Sequence, residues 1–349
     1  MTTPSARSTT SRQSAPRFSV IIPTYERRDL VVRNVAALAR QEFAGGFEVI
    51  VVVDGSTDGT AGALLALTVP FPLTVVEQPF GGSAAARNHG AALARGELLL
   101  FLDDDMEAHP RLLAEHDASH HAGAAAVMGD IPSHPDSPKG LLADGVKQWA
   151  EARARRLARP GAELSLADML TGQISVGREL FARLSGFDTR FRQEVTSGNA
   201  DTDFGCRLLE SGCRVVFNPR AISWQKYVVT PRQYLRQWRE VGRADVRFVR
   251  KHPTQAGAIF SRKKLAQRRR WMIPPLAAVL RWVIVRRVEQ GHTDTRTARW
   301  FKKVRWYEYW RGVAEAGGMP GGGHHGGGGR TAPAVAPTGT AASRSASGI

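Results

Sequence analysis

Apolar residues follow two rhythms in the first third of the chain. Short runs at Phe18–Ile22, Phe47–Val53, Leu73–Val76 and Glu97–Leu102 read as strands, because an apolar run of four to eight residues bounded by turn signals suits a buried strand. Between them, apolar positions recur at helical spacing from Arg28 to Arg40, in a short stretch ending at Leu67, and from the Gly81-Gly82-Ser83 turn to Arg95. Val49-Ile50-Val51-Val52-Val53 has no polar face, as expected of a strand covered by helices on both sides. The alternation predicts an α/β fold with a mostly parallel sheet. Beyond residue 130 the rhythm changes. Pro132-Ser133-His134-Pro135 breaks the chain, and a polar helix is predicted over Lys139–Arg156. A second ordered unit runs from Thr171 to Asn218, with a strand near Ile174 and helices over Glu179–Leu184 and Asp203–Ser211. From Pro231 to about Val313 the chain reads as helical and basic, and the Gly/Ala/Pro/Ser-rich remainder is expected to be disordered.

Composition places these elements in a globular protein: 349 residues, 42% hydrophobic and 23% charged. Cys206 and Cys213 are seven residues apart, ~10 Å along a continuous helix, too far for a disulfide. That predicts a reducing, cytoplasmic setting, and the first 16 residues hold no apolar run of the kind a secretory signal needs. Charge is more informative. The net of +16 divides into −3 over residues 1–110, +1 over 111–230 and +18 over 231–349. Arg232, Arg236, Arg239, Arg243, Arg247 and Arg250 have a mean spacing of 3.6, which puts all six on one helix face. Such a face is either simply solvated or meets an anionic partner. The ten-residue apolar run Trp271–Leu280 is too short to cross a bilayer, but its Trp and Arg flanks suit a helix lying in an anionic membrane surface. Packing into the core is the rival reading of that run. Nucleic acid is not expected as a partner, since no recognised binding motif accompanies the charge.

Candidate chemistry sits at the end of the fourth predicted strand, in Asp103-Asp104-Asp105. In an extended segment residues i and i+2 point the same way, so Asp103 and Asp105 are expected to aim at one point. Hard oxygen donors of this kind suit Mg2+ or Mn2+. The alternative is an acidic cap on the helix starting near His109-Pro110. No GxGxxG follows the first strand and no GxSxG elbow occurs, which disfavours dinucleotide-binding and hydrolase readings. His116, His120 and His121 are expected on a solvated helix face.

Several blocks in order resemble glycosyltransferase family 2. They are Pro23-Thr24-Tyr25, Val53-Asp54-Gly55-Ser56-Thr57-Asp58-Gly59, Ala86-Arg87-Asn88-His89-Gly90, Leu102-Asp103-Asp104-Asp105, Ser185-Gly186-Phe187-Asp188 and Asp201-Thr202-Asp203-Phe204-Gly205-Cys206-Arg207-Leu208. The likeness spans about Phe18 to Pro219 and implies the GT-A fold, a Rossmann-like mixed, mostly parallel sheet flanked by helices, with a basic helical C-terminal extension. It implies an inverting, metal-dependent transfer of sugar from a nucleotide-sugar, UDP-linked by preference, to a hydroxyl acceptor. Asp54 then recognises the nucleotide base, Asp105 binds the Mg2+ or Mn2+, and Asp103 binds the metal, its water or the ribose. Pro23, Thr24, Tyr25, Glu26, Arg87 and Asp104 complete the nucleotide-sugar site, and Asp201 is the base. Asp203, Arg236, Arg239 and Arg243 are expected to meet the acceptor or another anionic partner. The implied organisation is a tail (1–16), a catalytic domain (17–230, its donor half 17–130 and acceptor half 131–230), a helical extension (231–313) and a second tail (314–349). Two departures stand out. The family's Glu-Asp is here Ala200-Asp201, and where members carry a His after the following strand this chain reads Ile222-Ser223-Trp224-Gln225-Lys226. Gln233–Trp238 misses the QxxRW pattern of processive members by one residue, which predicts a non-processive enzyme. The alternative is a non-catalytic protein that binds a nucleotide-sugar, an acidic polymer or a membrane on the same scaffold.

Overall fold

The computed structural model describes residues 15–191, 199–266 and 274–319. The expected tails therefore lie largely outside the described residues, as does the start of the apolar run, Trp271-Met272-Ile273. In chain order the first elements are β1 (Phe18–Thr24), α1 (Arg28–Leu38), β2 (Phe47–Asp54), α2 (Thr60–Leu65), β3 (Leu73–Gln78), α3 (Ser83–Leu93) and β4 (Leu98–Leu102). There follow β5 (Met106–Ala108), α4 (Leu112–His121), β6 (Ala126–Asp130), α5 (Leu141–Leu157), β7 (Gln173–Gly177), α6 (Arg178–Arg183), α7 (Ala200–Glu210) and β8 (Val215–Gln225). The C-terminal part is helical: α8 (Pro231–Lys251), α9 (Ala256–Ile259), α10 (Arg262–Leu265), α11 (Pro274–Glu289) and α12 (Thr295–Glu315).

The strands form one sheet in the order β3-β2-β1-β4-β7-β6-β8-β5. β3, β2, β1 and β4 are parallel, β7 runs against β4 and β6, β8 is parallel to β6, and β5 closes against β8. This is the expected mixed, mostly parallel α/β architecture. β1 and β2 are buried along nearly their whole length, which explains their continuous apolar sequence. The strands outrun their apolar stretches. Thr24 pairs with Val53, and Asp54 with Gln78, so the backbone ladder extends into polar residues that hydrophobicity does not mark. Those polar ends form the rim on which open α/β sheets bind ligands.

The C-terminal helices share the main core. Val246, Phe248 and Val249 of α8 and Tyr309 and Val313 of α12 join Phe187, Phe204 and Phe101 in one apolar cluster. α8 begins with a capping box, in which the Thr230 hydroxyl accepts from the Gln233 N–H and the Gln233 side chain accepts from the Thr230 N–H. α8 and α12 cross at Gly312, where a Cβ would lie 1.9 Å from the Arg239 carbonyl oxygen, with Gly242 facing Tyr309 in the same way. Among the described residues no helix is long and apolar enough to cross a membrane.

Candidate active site

The acidic turn follows β4, and it is a turn rather than an extended segment. The Met106 N–H donates to the Asp103 carbonyl at 3.3 Å. This corrects the expectation that Asp103 and Asp105 point to one spot by strand alternation. The turn sends the three carboxylates to different partners, with Arg27 shared by Asp104 and Asp105. Asp104 is 6% exposed and accepts from the Thr24 hydroxyl and the Arg27 guanidinium, both at 2.9 Å. Burial raises its pKa, with Arg27 opposing. Asp105 accepts from the Gln225 amide at 3.2 and 3.3 Å and lies 3.6 Å from Arg27. Burial, with Asp104 and Asp103 adding like charge, pushes Asp105 up to about 7. Asp103 accepts from Arg87 at 2.6 Å. Gly172 passes so close that a Cβ there would sit 2.6 Å from Asp103 Oδ2.

Arg87 joins the two sides of the site. Its Nη2 donates to Asp103 and its Nη1 to Asp201 at 2.9 Å, while the side chain is 2% exposed and lies over the Phe187 ring. Burial disfavours its charge, but Asp201 and Asp103 outweigh that and raise the Arg87 pKa. Asp201 lies in the first turn of α7, where a carboxylate is favoured by the exposed N–H groups. Asn199, at the helix entry, donates to Asp245 of α8 at 2.9 Å, and Asp245 also accepts from the Tyr309 hydroxyl of α12 at 2.7 Å. Asp201 thus stands on a helix whose entry is tied to the C-terminal bundle.

At the end of β2, Asp54 is 2% exposed and knits the loop before α3. Its Oδ1 accepts from Gln78 Nε2 at 2.8 Å and the Gly81 N–H at 2.7 Å, and its Oδ2 accepts from the Gly82 N–H at 2.7 Å. Glu26 adopts φ of 52° and accepts from the Thr57 N–H at 2.8 Å, tying the Pro23-Thr24-Tyr25-Glu26 segment to the turn after β2. Tyr25, 44% exposed, packs its ring 4.7 Å from Phe80.

A cleft of about 150 Å3 opens beside Asp103 and Asp201, walled by Trp149 and Arg153 of α5 and by Asp130, Gln225 and Tyr227. Arg27, Trp149, Arg153 and Asp130 went unnoticed in the sequence. Arg27 directly follows a block already singled out, so its place could have been inferred. Trp149 carried only the faint signal of a lone indole in a polar helix.

Other expected residues lie elsewhere. Asp203 is fully buried, its carboxylate held within the fold by Arg207, Lys251 and His252. Arg239 and Arg243 bind Glu315 of α12, Arg250 donates to the Ala316 carbonyl at 2.6 Å, and Arg232 pairs with Glu289 at 3.1 Å. Three of the six arginines thus pack α8 against α12 and Arg232 ties it to α11, while Arg236 stays exposed. Trp238, at the end of the near-QxxRW segment, packs against Trp306 away from the cleft. His116 also departs from expectation. It is fully buried, with Nδ1 2.7 Å from the Ser175 hydroxyl.

Comparison with known proteins adds the relationships. Residues 19–159 match the model for glycosyl transferase family 2. The chain is 31% identical over 273 residues to validoxylamine A glucosyltransferase of Streptomyces hygroscopicus subsp. jinggangensis, an alignment covering 70% of this chain and 63% of that one. It is 38% identical over 92 residues to the poly(ribitol-phosphate) beta-N-acetylglucosaminyltransferase TarS of Staphylococcus aureus, covering 26% of this chain and 16% of TarS. The chain thus spans less than two thirds of these relatives. Its fold is similar to that of a mannosyltransferase from Pyrobaculum calidifontis solved with GDP-Man and Mn2+, at a TM-score of 0.57 and 20% identity over 87% of this chain and 88% of that one. It is also similar to residues 1–349 of TarS, at a TM-score of 0.50 and 16% identity over 86% and 92% of the two chains. With its mixed sheet and its acidic turn after β4, the chain has the GT-A fold, and over residues 19–159 it is similar to glycosyl transferase family 2.

Proposed function

We propose that the protein is an inverting glycosyltransferase that moves a sugar from a nucleotide-sugar, UDP-linked by preference, to a hydroxyl acceptor in glycan or cell-envelope synthesis. One observation carries this reading: a single buried guanidinium, Arg87, holds Asp103 of the acidic turn and Asp201 of α7 at 2.6 and 2.9 Å, beside one cleft. The donor then lies over the ends of β1, β2 and β4. Its base stacks at the exposed Tyr25 ring, and the free lone pair of Asp54 Oδ2 accepts a ring N–H. Asp201 takes the proton of the acceptor hydroxyl as that oxygen bonds to the anomeric carbon. The bond from that carbon to the diphosphate oxygen breaks, and its electron pair leaves with the nucleotide. Attack from the face opposite the leaving group inverts the configuration. Arg87 keeps Asp201 aimed throughout, a positioning role its burial enforces.

The site's donors fit a hard divalent cation: they are oxygens, and Asp105 is crowded by like charge that a cation would relieve. Asp105 and Asp103 would hold Mg2+ or Mn2+, with the Gln225 amide, turned to present its oxygen, replacing the family's imidazole. The ion would supply electrostatic stabilisation of the diphosphate charge.

Thermal shift and transfer assays with UDP-, GDP- and TDP-sugars test this reading. Asp105→Asn is expected to abolish the Mg2+-dependent shift given by UDP. Asp201→Asn is expected to keep that shift and to lower transfer by at least ~100-fold, the scale of a lost general base. Normal transfer by the Asp201 variant would assign the base elsewhere.

A peripheral membrane location is supported by α11. Leu276, Val279 and Trp282 are 62%, 62% and 59% exposed, and with Val283 and Arg286 they share one helix face. Ala277, Ile284 and Val285 face inward. An apolar stripe flanked by cations suits an anionic lipid surface. Co-sedimentation with phosphatidylserine vesicles at low salt is expected, weakened roughly tenfold by Trp282→Glu. No sedimentation of the parent protein ends the idea.

A further inference from the structure

Four residues of α5, Val146, Trp149, Ala150 and Arg153, share one helix face and wall the cleft that holds Asp201 and Asp103. Trp149 is 50% exposed. Among the described residues no ring, cation or hydrogen-bonding group meets its indole. A large apolar side chain left uncovered on a cleft wall, while Ala150 beside it is buried, has a face to offer a ligand. Arg153, one turn on, is 7% exposed. Its Nη2 donates to the Asp168 carbonyl at 2.8 Å and its guanidinium lies 5.4 Å from the Phe217 ring, yet its buried Nε has no partner. A buried donor without an acceptor is costly, and a ligand hydroxyl would satisfy it. Asp130, at the end of β6, adds an acceptor to the same wall.

From this arrangement we infer that Trp149 is the stacking platform of the acceptor subsite, and that the acceptor presents a saturated polyhydroxylated ring, a pyranose or cyclitol, not an open-chain polyol. A ring of this kind has one face of C–H bonds, slightly positive, which meets the negative face of an indole, and a rim of hydroxyls for Arg153 and Asp130. An open chain offers no such flat face. The cleft, at about 150 Å3, is small and suits one ring with the remainder of the acceptor outside. Stacking on Trp149 sets the ring edge toward Asp201, so that one hydroxyl reaches the base. The inference rests on the transferase reading for the identity of the cleft, but its test is separate.

Saturation-transfer NMR on the full chain with UDP and Mg2+ provides that test. The probes are methyl glucopyranoside, methyl galactopyranoside, methyl mannopyranoside and myo-inositol against the open chains sorbitol and ribitol. Transfer to the C–H protons of at least one ring probe is expected, with none to the open chains. Trp149→Ala should weaken that ring's binding roughly tenfold or more, and Trp149→Phe should restore it to within about threefold of the parent. UDP affinity, measured on each variant by calorimetry, shows that the donor half is folded. Equal transfer to rings and open chains, ring binding unchanged by Trp149→Ala, or no ring binding at all overturns the inference. Failure of the parent protein to bind UDP counts instead against the transferase reading.

Discussion

A guanidinium as buried as that of Arg87 is tolerated only when opposite charges and good geometry replace its water. Asp103 and Asp201 do this from two elements far apart in sequence, and the Phe187 face covers what remains. His116 solves the same problem by staying neutral. Burial, with His120 beside it, pulls its pKa down to about 3. The unfolded chain protonates this imidazole below about 6.5 while the folded chain does not. At this residue the unfolded state therefore binds more protons between those values, and the imidazole's contribution to stability falls as pH drops through 6.5, by up to about 1.4 kcal/mol per pH unit. Urea unfolding of the parent and of His116→Gln at pH 7.5, 6.5 and 5.5 isolates this contribution as the difference between their slopes, because the opposing proton uptake of Asp105 is common to both, and the variant should lose less stability toward low pH. An unchanged slope in the variant would mean that other groups set the acid sensitivity.

Helix α8 shows how an element's charge can mislead. Its arginines repeat at the helical period, but α12 lies alongside and brings Glu315 and the carbonyl end at Ala316 to them. The approach depends on glycine at the crossing. Gly312→Ala would drive a methyl into the Arg239 carbonyl and should destabilise the protein by about 3 kcal/mol, the upper end for overpacking. Gly145→Ala is the control. It lies exposed in α5 with no atom within 4 Å of the added carbon, and should stabilise by roughly 0.5–1 kcal/mol. Urea midpoints of the two variants check both signs.

At the scale of the molecule, the C-terminal helices are part of the scaffold under the site. Tyr309 of α12 bonds to Asp245 of α8, which holds Asn199 at the entry to the Asp201 helix, and all three elements feed one apolar cluster. Such sharing predicts cooperative unfolding. Far-UV circular dichroism and tryptophan fluorescence, which reports mainly on the C-terminal helices, should give superimposable urea transitions. A fluorescence transition at lower urea would show that the helices come away independently.

The strand-and-helix alternation up to Leu102, the acidic cluster and most of the helix that follows Asp201 were legible in the sequence, because each is encoded within a few neighbouring residues. β6 was not, since Ala126-Val127-Met128-Gly129-Asp130 is short and carries no alternation. The path of Asp103–Asp105 was also hidden, because a turn and a strand end read alike until Gly172 is seen packed against Asp103. Sequence alone set which residues are charged, apolar or flexible. Tertiary structure decided which charges neutralise one another: Arg87 finds Asp201, the α8 arginines find Glu315, and Trp149 is left uncovered at the cleft. Coulomb interaction and burial depend on distance in space, and local pattern does not carry that distance.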